Sequence, residues 1–127
     1  MADVVTSQTL LDNERNTVMK FTNVSDSSGE AAVLKVDVSA LVGAPSSVKI
    51  TRIIATTDGM AVNILWDATT DVTAFVVPSG ANLDFNFEHF GGLQNNAGAG
   101  KTGDIMFTTI GAGANDTYSI ILHMKKN

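Results

Sequence analysis

The nine residues DTYSIILHM, at positions 116–124, decide the fold class. Every second residue of this stretch is apolar or aromatic, and successive side chains of a β-strand point to opposite faces of its sheet. The pattern therefore predicts a strand with one dry face, made of Tyr118, Ile120, Leu122 and Met124. MAVNILWD (60–67) and NLDFNFEHF (82–90) alternate in the same way, and their predicted dry faces carry Met60, Val62, Ile64 and Trp66, and Leu83, Phe85 and Phe87.

Five further stretches have the composition of strands and are separated by clusters of Gly, Ser, Asn, Asp and Thr. They cover residues 17–24, 32–38, 48–57, 72–77 and 104–110. About eight short strands with turn residues between them are typical of sandwiches and barrels. The sequence thus predicts an all-β fold, a β-sandwich of the jelly-roll or the simpler Greek-key type, with the strand order left open. The 127 residues predict a single domain, over residues 17–127.

Two segments lack the alternation. Residues 1–16, MADVVTSQTLLDNERN, have no clean period and predict an irregular N-terminal arm with at most one helical turn around Leu10 and Leu11. Residues 89–103 predict a loop that contains Phe90 and Leu93. Loops of about fifteen residues without secondary structure are uncommon, and they are often functional or mobile.

The composition disfavours several classes of partner. Eight basic and thirteen acidic residues give a net charge of −5, which disfavours nucleic acid because its phosphates attract clustered Lys and Arg. The chain has no cysteine, so it forms no disulfide and has no thiolate. The opening MADVVTSQ lacks the basic and apolar parts of a secretory signal, and no apolar run reaches the length of a membrane helix. We therefore expect a protein that remains in the compartment where it is made.

The stretch NNAGAGKTGD (95–104) looks like the end of a nucleotide-binding P-loop. That motif requires a glycine where this chain has Asn95, and it requires a helix after the lysine. GDIMFTTI follows instead, and its alternation predicts a strand. The sequence therefore predicts an ordinary glycine-rich loop that binds no nucleotide.

No other pattern predicts a catalytic, metal or cofactor site. His89 and His123 have no ligand-spaced partner, so zinc is disfavoured. Asp67 and Asp71 could supply oxygens to calcium, although aspartates at strand ends more often cap turns. None of the serines lies in a nucleophile elbow, and Trp66 is in phase with core residues. Paired carboxylates for glycoside cleavage stay open, because their separation is a property of the fold. We expect no enzymatic activity.

The chain as a whole resembles a family of small virion proteins of tailed bacteriophages, especially those of marine bacteria. The resemblance rests on MADVVTSQTLLDNERNTVMKFTNVSD (1–26), ILWDATTDV (64–72), FGGLQNNAGAGKTGDIMFTT (90–109) and NDTYSI (115–120). It spans most of the chain and brings no catalytic signature. Residues 75–88 match nothing in it.

This resemblance implies a structural protein of the phage particle, made in the cytoplasm of the bacterial host. It implies a decoration or cement protein on the outer surface of the head, where trimers commonly bind the major capsid protein across subunit junctions. The arm, anchored by Leu10 and Leu11, is then the expected contact with the shell, and Phe90 and Leu93 form a second candidate contact. A tail, neck or head-fibre component and a host-glycan-binding module remain alternatives.

Overall fold

The fold is built from nine strands and two short 3-10 turns in the residues that the structure describes. The structure, a computed structural model, describes residues 4–26, 30–43, 45–80, 82–95, 97–111 and 113–126. The 3-10 turns are Val38–Ala40 and Glu88–Phe90. The strands are β1 (Val4–Asp12), β2 (Asn16–Asp26), β3 (Val33–Val36), β4 (Val48–Asp58), β5 (Ala61–Trp66), β6 (Val72–Val77), β7 (Asn82–Asn86), β8 (Ile105–Ile110) and β9 (Ala114–Lys126).

These strands form two antiparallel sheets, which confirms the predicted all-β sandwich. The five-stranded sheet has the order β1-β2-β9-β4-β7, and the four-stranded sheet has the order β3-β8-β5-β6. Only the connections β1–β2 and β5–β6 stay within one sheet, and every other connection crosses to the opposite sheet. Each of the eight predicted strands corresponds to one of β2–β9.

The prediction of an irregular arm over residues 1–16 is wrong for Val4–Asp12. These residues form β1, which pairs with β2 from Val4 opposite Val24 to Asp12 opposite Thr17, with a bulge between Thr9 and Leu11. The positions from residue 7 to residue 11 are all exposed. Because neither face of this part of β1 is buried, its residues need not alternate, and the period of two that marks a strand is absent.

The core lies between the two sheets, on the faces that the sequence predicted. The alternate residues of β5 and β9 are at most 2% exposed: Met60, Val62, Ile64, Trp66, Tyr118, Ile120, Leu122 and Met124. Phe107 of β8 connects the sheets through edge-to-face ring contacts, at 5.2 Å to Phe21 of β2 and 5.8 Å to Tyr118 of β9. These rings fix β8 over the boundary between β2 and β9.

One buried carboxylate joins both sheets at the end of the sandwich where β2 leads into β3. Glu30 accepts hydrogen bonds from the Tyr118 hydroxyl at 2.5 Å and from Asn23 Nδ2 at 3.1 Å, and it forms an ion pair with Lys35 at 2.5 Å. The side chains of Glu30 and Lys35 are 5% and 2% exposed. The backbone N–H of Glu30 also donates to the Thr109 hydroxyl at 2.7 Å. A buried charge is tolerated when it is paired and hydrogen-bonded in this way.

The substitution Glu30→Gln is expected to lower the free energy of unfolding by about 3–5 kcal/mol, because it leaves the Lys35 ammonium buried without a counter-charge. Urea unfolding followed by circular dichroism measures this change. The matched control is Asp84→Asn, which removes the exposed ion pair of Asp84 with Arg52. Solvent screens that pair, so the control should leave the unfolding midpoint nearly unchanged. Equal effects of the two substitutions would contradict the assignment of the buried pair.

Candidate interaction surface

The outer edge of the five-stranded sheet is the first candidate surface, and its side chains come from β1. Leu10 and Leu11 are 53% and 48% exposed. Residues 4–11 carry no charge and include no proline, and within the described chain β1 pairs with β2 alone. A neutral edge strand with free backbone N–H and C=O groups lacks the charges that usually prevent pairing with another chain. The structure thus presents two of the four predicted contact residues, Leu10 and Leu11, on an open sheet edge.

A salt bridge fixes the end of this edge. Lys126 of β9 forms an ion pair with Asp12 of β1 and donates to the Val42 carbonyl at 2.8 Å, while the Val42 N–H donates to Asp12 Oδ2 at 3.0 Å. Burial alone raises the pKa of the Asp12 carboxyl. The hydrogen bonds from Lys126 and Val42 and the charge of Lys126 lower it by more, so the pKa lies below its ordinary value. The end of β1 is therefore held to β9 and to the segment that follows Val38–Ala40.

The low pKa of Asp12 predicts that the salt bridge contributes to the free energy of unfolding in a pH-dependent way. Asp12→Asn should lower the free energy of unfolding by about 1–2 kcal/mol at pH 7, as expected for charge-assisted bonds that solvent partly screens. The pKa in the folded protein lies below that in the unfolded chain, about 3.9, so this contribution is complete above roughly pH 5 and is lost as the pH falls through the folded value. Urea unfolding of both proteins over a pH series from 7 down to about 2 tests this. A difference that persists at low pH would contradict the assignment.

The other two predicted contact residues are placed differently. Leu93 is half-buried and packs against the core, and its backbone exchanges two hydrogen bonds with Ile50, at 2.7 and 3.1 Å. This bridge attaches the glycine-rich loop to β4, so Leu93 has a structural role within the domain. Phe90 ends the 3-10 turn that follows β7, and its side chain lies outside the described residues.

The P-loop-like stretch 95–104 folds against the loop between β5 and β6. The Thr102 N–H donates to the Asp67 carbonyl at 3.2 Å, and the Thr102 hydroxyl donates to the Asp67 carboxylate at 2.8 Å. The Asp67 N–H in turn donates to the Asp104 carbonyl at 3.0 Å. The strand predicted over residues 104–110 is confirmed as β8, which begins at Ile105, where a P-loop has the N-terminus of a helix. The backbone N–H and the hydroxyl of Thr102 are thus bonded within the chain, beside the Asp67 carboxylate, which repels anions.

We therefore expect titration with magnesium and ATP to give no heat of binding in isothermal calorimetry. The Lys101→Ala variant, whose side chain is exposed in this loop, should behave identically. A saturable heat that Lys101→Ala removes would contradict the reading of this stretch as an ordinary loop.

The remaining candidates for chemistry are dispersed. In the described part of the chain, no three His, Cys, Asp or Glu side chains lie close enough together to share a metal ion. The Asp71 carboxylate accepts a hydrogen bond from the Ala68 N–H at 3.1 Å and so caps its own loop. Capping of a turn is the more common role of an aspartate at a strand end than calcium binding. Trp66 is 1% exposed and belongs to the core, as predicted. No helix in the described residues has the length and apolar character to cross a lipid bilayer.

One shallow cavity lies near the glycine-rich loop. It has a volume of about 160 Å³ and is lined by Thr51, Glu88, Gly91 and Lys125. Ligand pockets usually enclose about 300–1,000 Å³, so this cavity is too small for a cofactor. It offers a polar recess in the surface, with one acidic and one basic side chain.

An aromatic cluster lies at the edge of the sandwich formed by β6 and β7, and the sequence did not predict it. Phe75 of β6 contacts Phe85 of β7 at 5.7 Å and Phe87 at 6.0 Å between ring centroids. Phe85 faces the same side of its sheet as the buried Ile53, yet it is 47% exposed. The dry face predicted for residues 82–90 is therefore only partly covered, because β6 and β7 are both edge strands. The alternation predicted the orientation of these rings, but it carries no information about which strand lies at an edge.

Comparison of the chain with models of protein families, with curated proteins and with solved structures found no match.

Proposed function

We propose that the protein is a structural component of a tailed-phage particle, a decoration or cement protein that binds the major capsid protein on the outside of the head. The observation that carries the proposal is the open edge of β1, with two exposed leucines in its uncharged residues 4–11. The resemblance to small phage virion proteins supports it, since its longest matching stretch, residues 1–26, includes this edge. The proposal assigns the protein no catalytic activity.

The edge of β1 suits adhesion between protein surfaces for a physical reason. Free backbone N–H and C=O groups can pair with a strand of another chain, and adjacent pockets can take the side chains of Leu10 and Leu11. Because β1 is already paired with β2 and its end is fixed by the Asp12–Lys126 salt bridge, binding does not have to order this segment. A preformed edge loses less entropy on binding than the irregular arm predicted from the sequence.

Stabilisation of the shell then follows from mass action. A rigid body that contacts two or three capsid subunits binds only where those subunits have the spacing of the mature, expanded shell. A ligand that binds one state of an assembly shifts the equilibrium toward that state. The effect is repeated at each subunit junction, so weak individual contacts can stabilise the whole shell against the pressure of packaged DNA. In this proposal the molecules occupy local threefold positions as trimers.

The double substitution of Leu10 and Leu11 by serine tests the proposed contact. Both side chains are about half exposed, so the variant should fold normally, while its occupancy on expanded heads should fall at least tenfold through the loss of two apolar anchors. The matched control is Leu34→Ser, which changes a leucine of similar exposure on the other sheet and should bind heads normally. Occupancy is measured by quantitative mass spectrometry of particles reconstituted with each protein.

Purified infectious particles provide the second test. A copy number comparable with that of the major capsid protein supports the proposal, whereas a much smaller number assigns the protein to the tail, neck or head fibres. The absence of this polypeptide from the particles, or full occupancy by the double serine variant, would overturn the assignment of β1 as the shell contact.

A further inference from the structure

A lysine amine and an asparagine amide lie on the two oxygens of one buried carboxylate. Lys35 Nζ is 2.5 Å from Glu30 Oε2, and Asn23 Nδ2 donates to Glu30 Oε1 at 3.1 Å. The side chains of Lys35 and Glu30 are 2% and 5% exposed, and Asn23 is 1% exposed. An amine, a carboxylate and an amide therefore meet inside the sandwich, where the packed sheets exclude water.

A β-bulge directs the lysine into this site. Strand β3 pairs with β8 on both sides of a shift in register between Leu34 and Val36, and Lys35 lies at that shift. Leu34 is half exposed, whereas Lys35 and Val36, which follow it directly, are both buried. Bulges change the direction of a side chain in this way, and they occur often beside active sites. The amine then lies 5.8 Å from the centre of the Phe107 ring.

The glutamate is held in place by groups on two other strands. The Tyr118 hydroxyl of β9 donates to Glu30 Oε1 at 2.5 Å. The backbone of Glu30 bonds to Thr109 of β8, through its N–H to the hydroxyl at 2.7 Å and through its carbonyl to the N–H at 2.9 Å. A nucleophile, a base within hydrogen-bond reach and a third group that orients the base are the signature of an activated nucleophile. Here the nucleophile is the amine of Lys35.

We infer that Lys35 and Asn23 form an amide bond with each other, with Glu30 as general base and general acid. The ion pair of Lys35 with Glu30 is the arrangement from which the reaction starts. A proton passes from Lys35 Nζ to Glu30 Oε2, which converts two buried charges into two neutral groups. The neutral amine then attacks Cγ of Asn23.

The same carboxyl group completes the exchange of protons. Glu30 gives its proton to Asn23 Nδ2, to which it is already hydrogen-bonded, and takes a second proton from Lys35 Nζ. The bond between Cγ and Nδ2 breaks, ammonia leaves, and the bond between Nζ and Cγ remains. Glu30 returns its last proton to the ammonia, which leaves as ammonium. The reaction occurs once in each molecule and requires neither an oxidant nor a cofactor.

The bond would connect the two sheets covalently, since Asn23 lies on β2 and Lys35 on β3. The chain has no cysteine, and an amide, unlike a disulfide, persists in a reducing compartment. Folding brings the reacting groups together, so proximity supplies much of the rate, and the exclusion of water protects the product from hydrolysis. The inference does not depend on the proposed role in a phage particle.

Mass spectrometry of the full chain tests the inference. The intact protein should be lighter than its sequence by one molecule of ammonia. Trypsin should not cleave after the modified Lys35, so residues 21–49 should appear as one peptide with the same loss. A protease that cleaves before aspartate cuts between Ser25 and Asp26, and the fragments that contain residues 23 and 35 should nevertheless stay joined.

Three substitutions separate the roles of the reacting groups. Asn23→Ser removes the acceptor but keeps the Glu30–Lys35 ion pair, so it should fold, have the full mass of its sequence and be cleaved by trypsin after Lys35. Glu30→Gln keeps both reacting groups and removes the base, and it should also lose no ammonia. Lys35→Arg keeps the positive charge without the nucleophile. Circular dichroism establishes that each variant is folded, and Asn23→Ser carries the test if Glu30→Gln does not fold.

The matched control within the chain is Lys126, whose side chain is 3% exposed and pairs with Asp12. The other oxygen of Asp12 accepts from the backbone N–H of Val42 and not from a side-chain amide. The tryptic peptide of residues 1–15, which contains Asp12, should therefore be recovered without a cross-link.

Three results would overturn the inference. An unchanged protein with the full mass of its sequence shows that the ion pair does not react. A loss of water in place of ammonia puts the bond on the Glu30 carboxyl. A loss of ammonia that survives Lys35→Arg means that Asn23 reacts with its own backbone and not with the lysine.

Discussion

Each sheet has a single face that the other sheet can cover, and this constraint governs the arrangement of every long strand. A strand must point every second side chain inward, so any irregularity has to restore the phase. β4 shows how: Val48 and Ile50 face the core before its bulge, and Ile53 and Ala55 face it afterwards. The bulge at Thr51 inserts the extra residue that makes both halves point inward, and the Thr51 hydroxyl donates to the His123 carbonyl at 3.0 Å. Without that extra residue, one half of β4 would expose its apolar side chains.

The same constraint explains why the buried carboxylate of Glu30 is partnered within the protein. Two sheets pressed together exclude water, so a carboxylate there needs donors from the protein, and Glu30 obtains them from β2, β3 and β9. The strands β2 and β9 belong to the five-stranded sheet and β3 to the four-stranded sheet. The ion pair of Glu30 with Lys35 therefore helps to specify how the two sheets are placed relative to each other. Removal of one partner costs more than the pair contributes, because the other charge stays buried.

Sequence reasoning succeeded where burial imposes a pattern and failed where it does not. The alternation of β5 and β9 predicted the core side chains individually, since both strands lie inside their sheets. β1 was missed because the exposed residues 7–11 have no reason to alternate, and Phe85 was expected to be dry because a pattern does not tell an edge strand from an inner one. Leu10 and Leu11, the predicted contact residues, are exposed, but they lie on a strand and not on an arm. The Glu30–Lys35 pair depends on strand order, which a single sequence left open.

The turns at one end of the sandwich differ in how closely they are packed. Gly59, with φ of +83°, lies against Asp116, and a Cβ added to Gly59 would come within 2.2 Å of its carboxylate, so the β4–β5 and β8–β9 turns interlock. Gly80, with φ of +72°, has no atom within 4 Å of the position of an added Cβ. The β6–β7 turn is accordingly one place where this scaffold has room for a foreign peptide. A guest sequence inserted there would be displayed away from the core and from the open edge of β1.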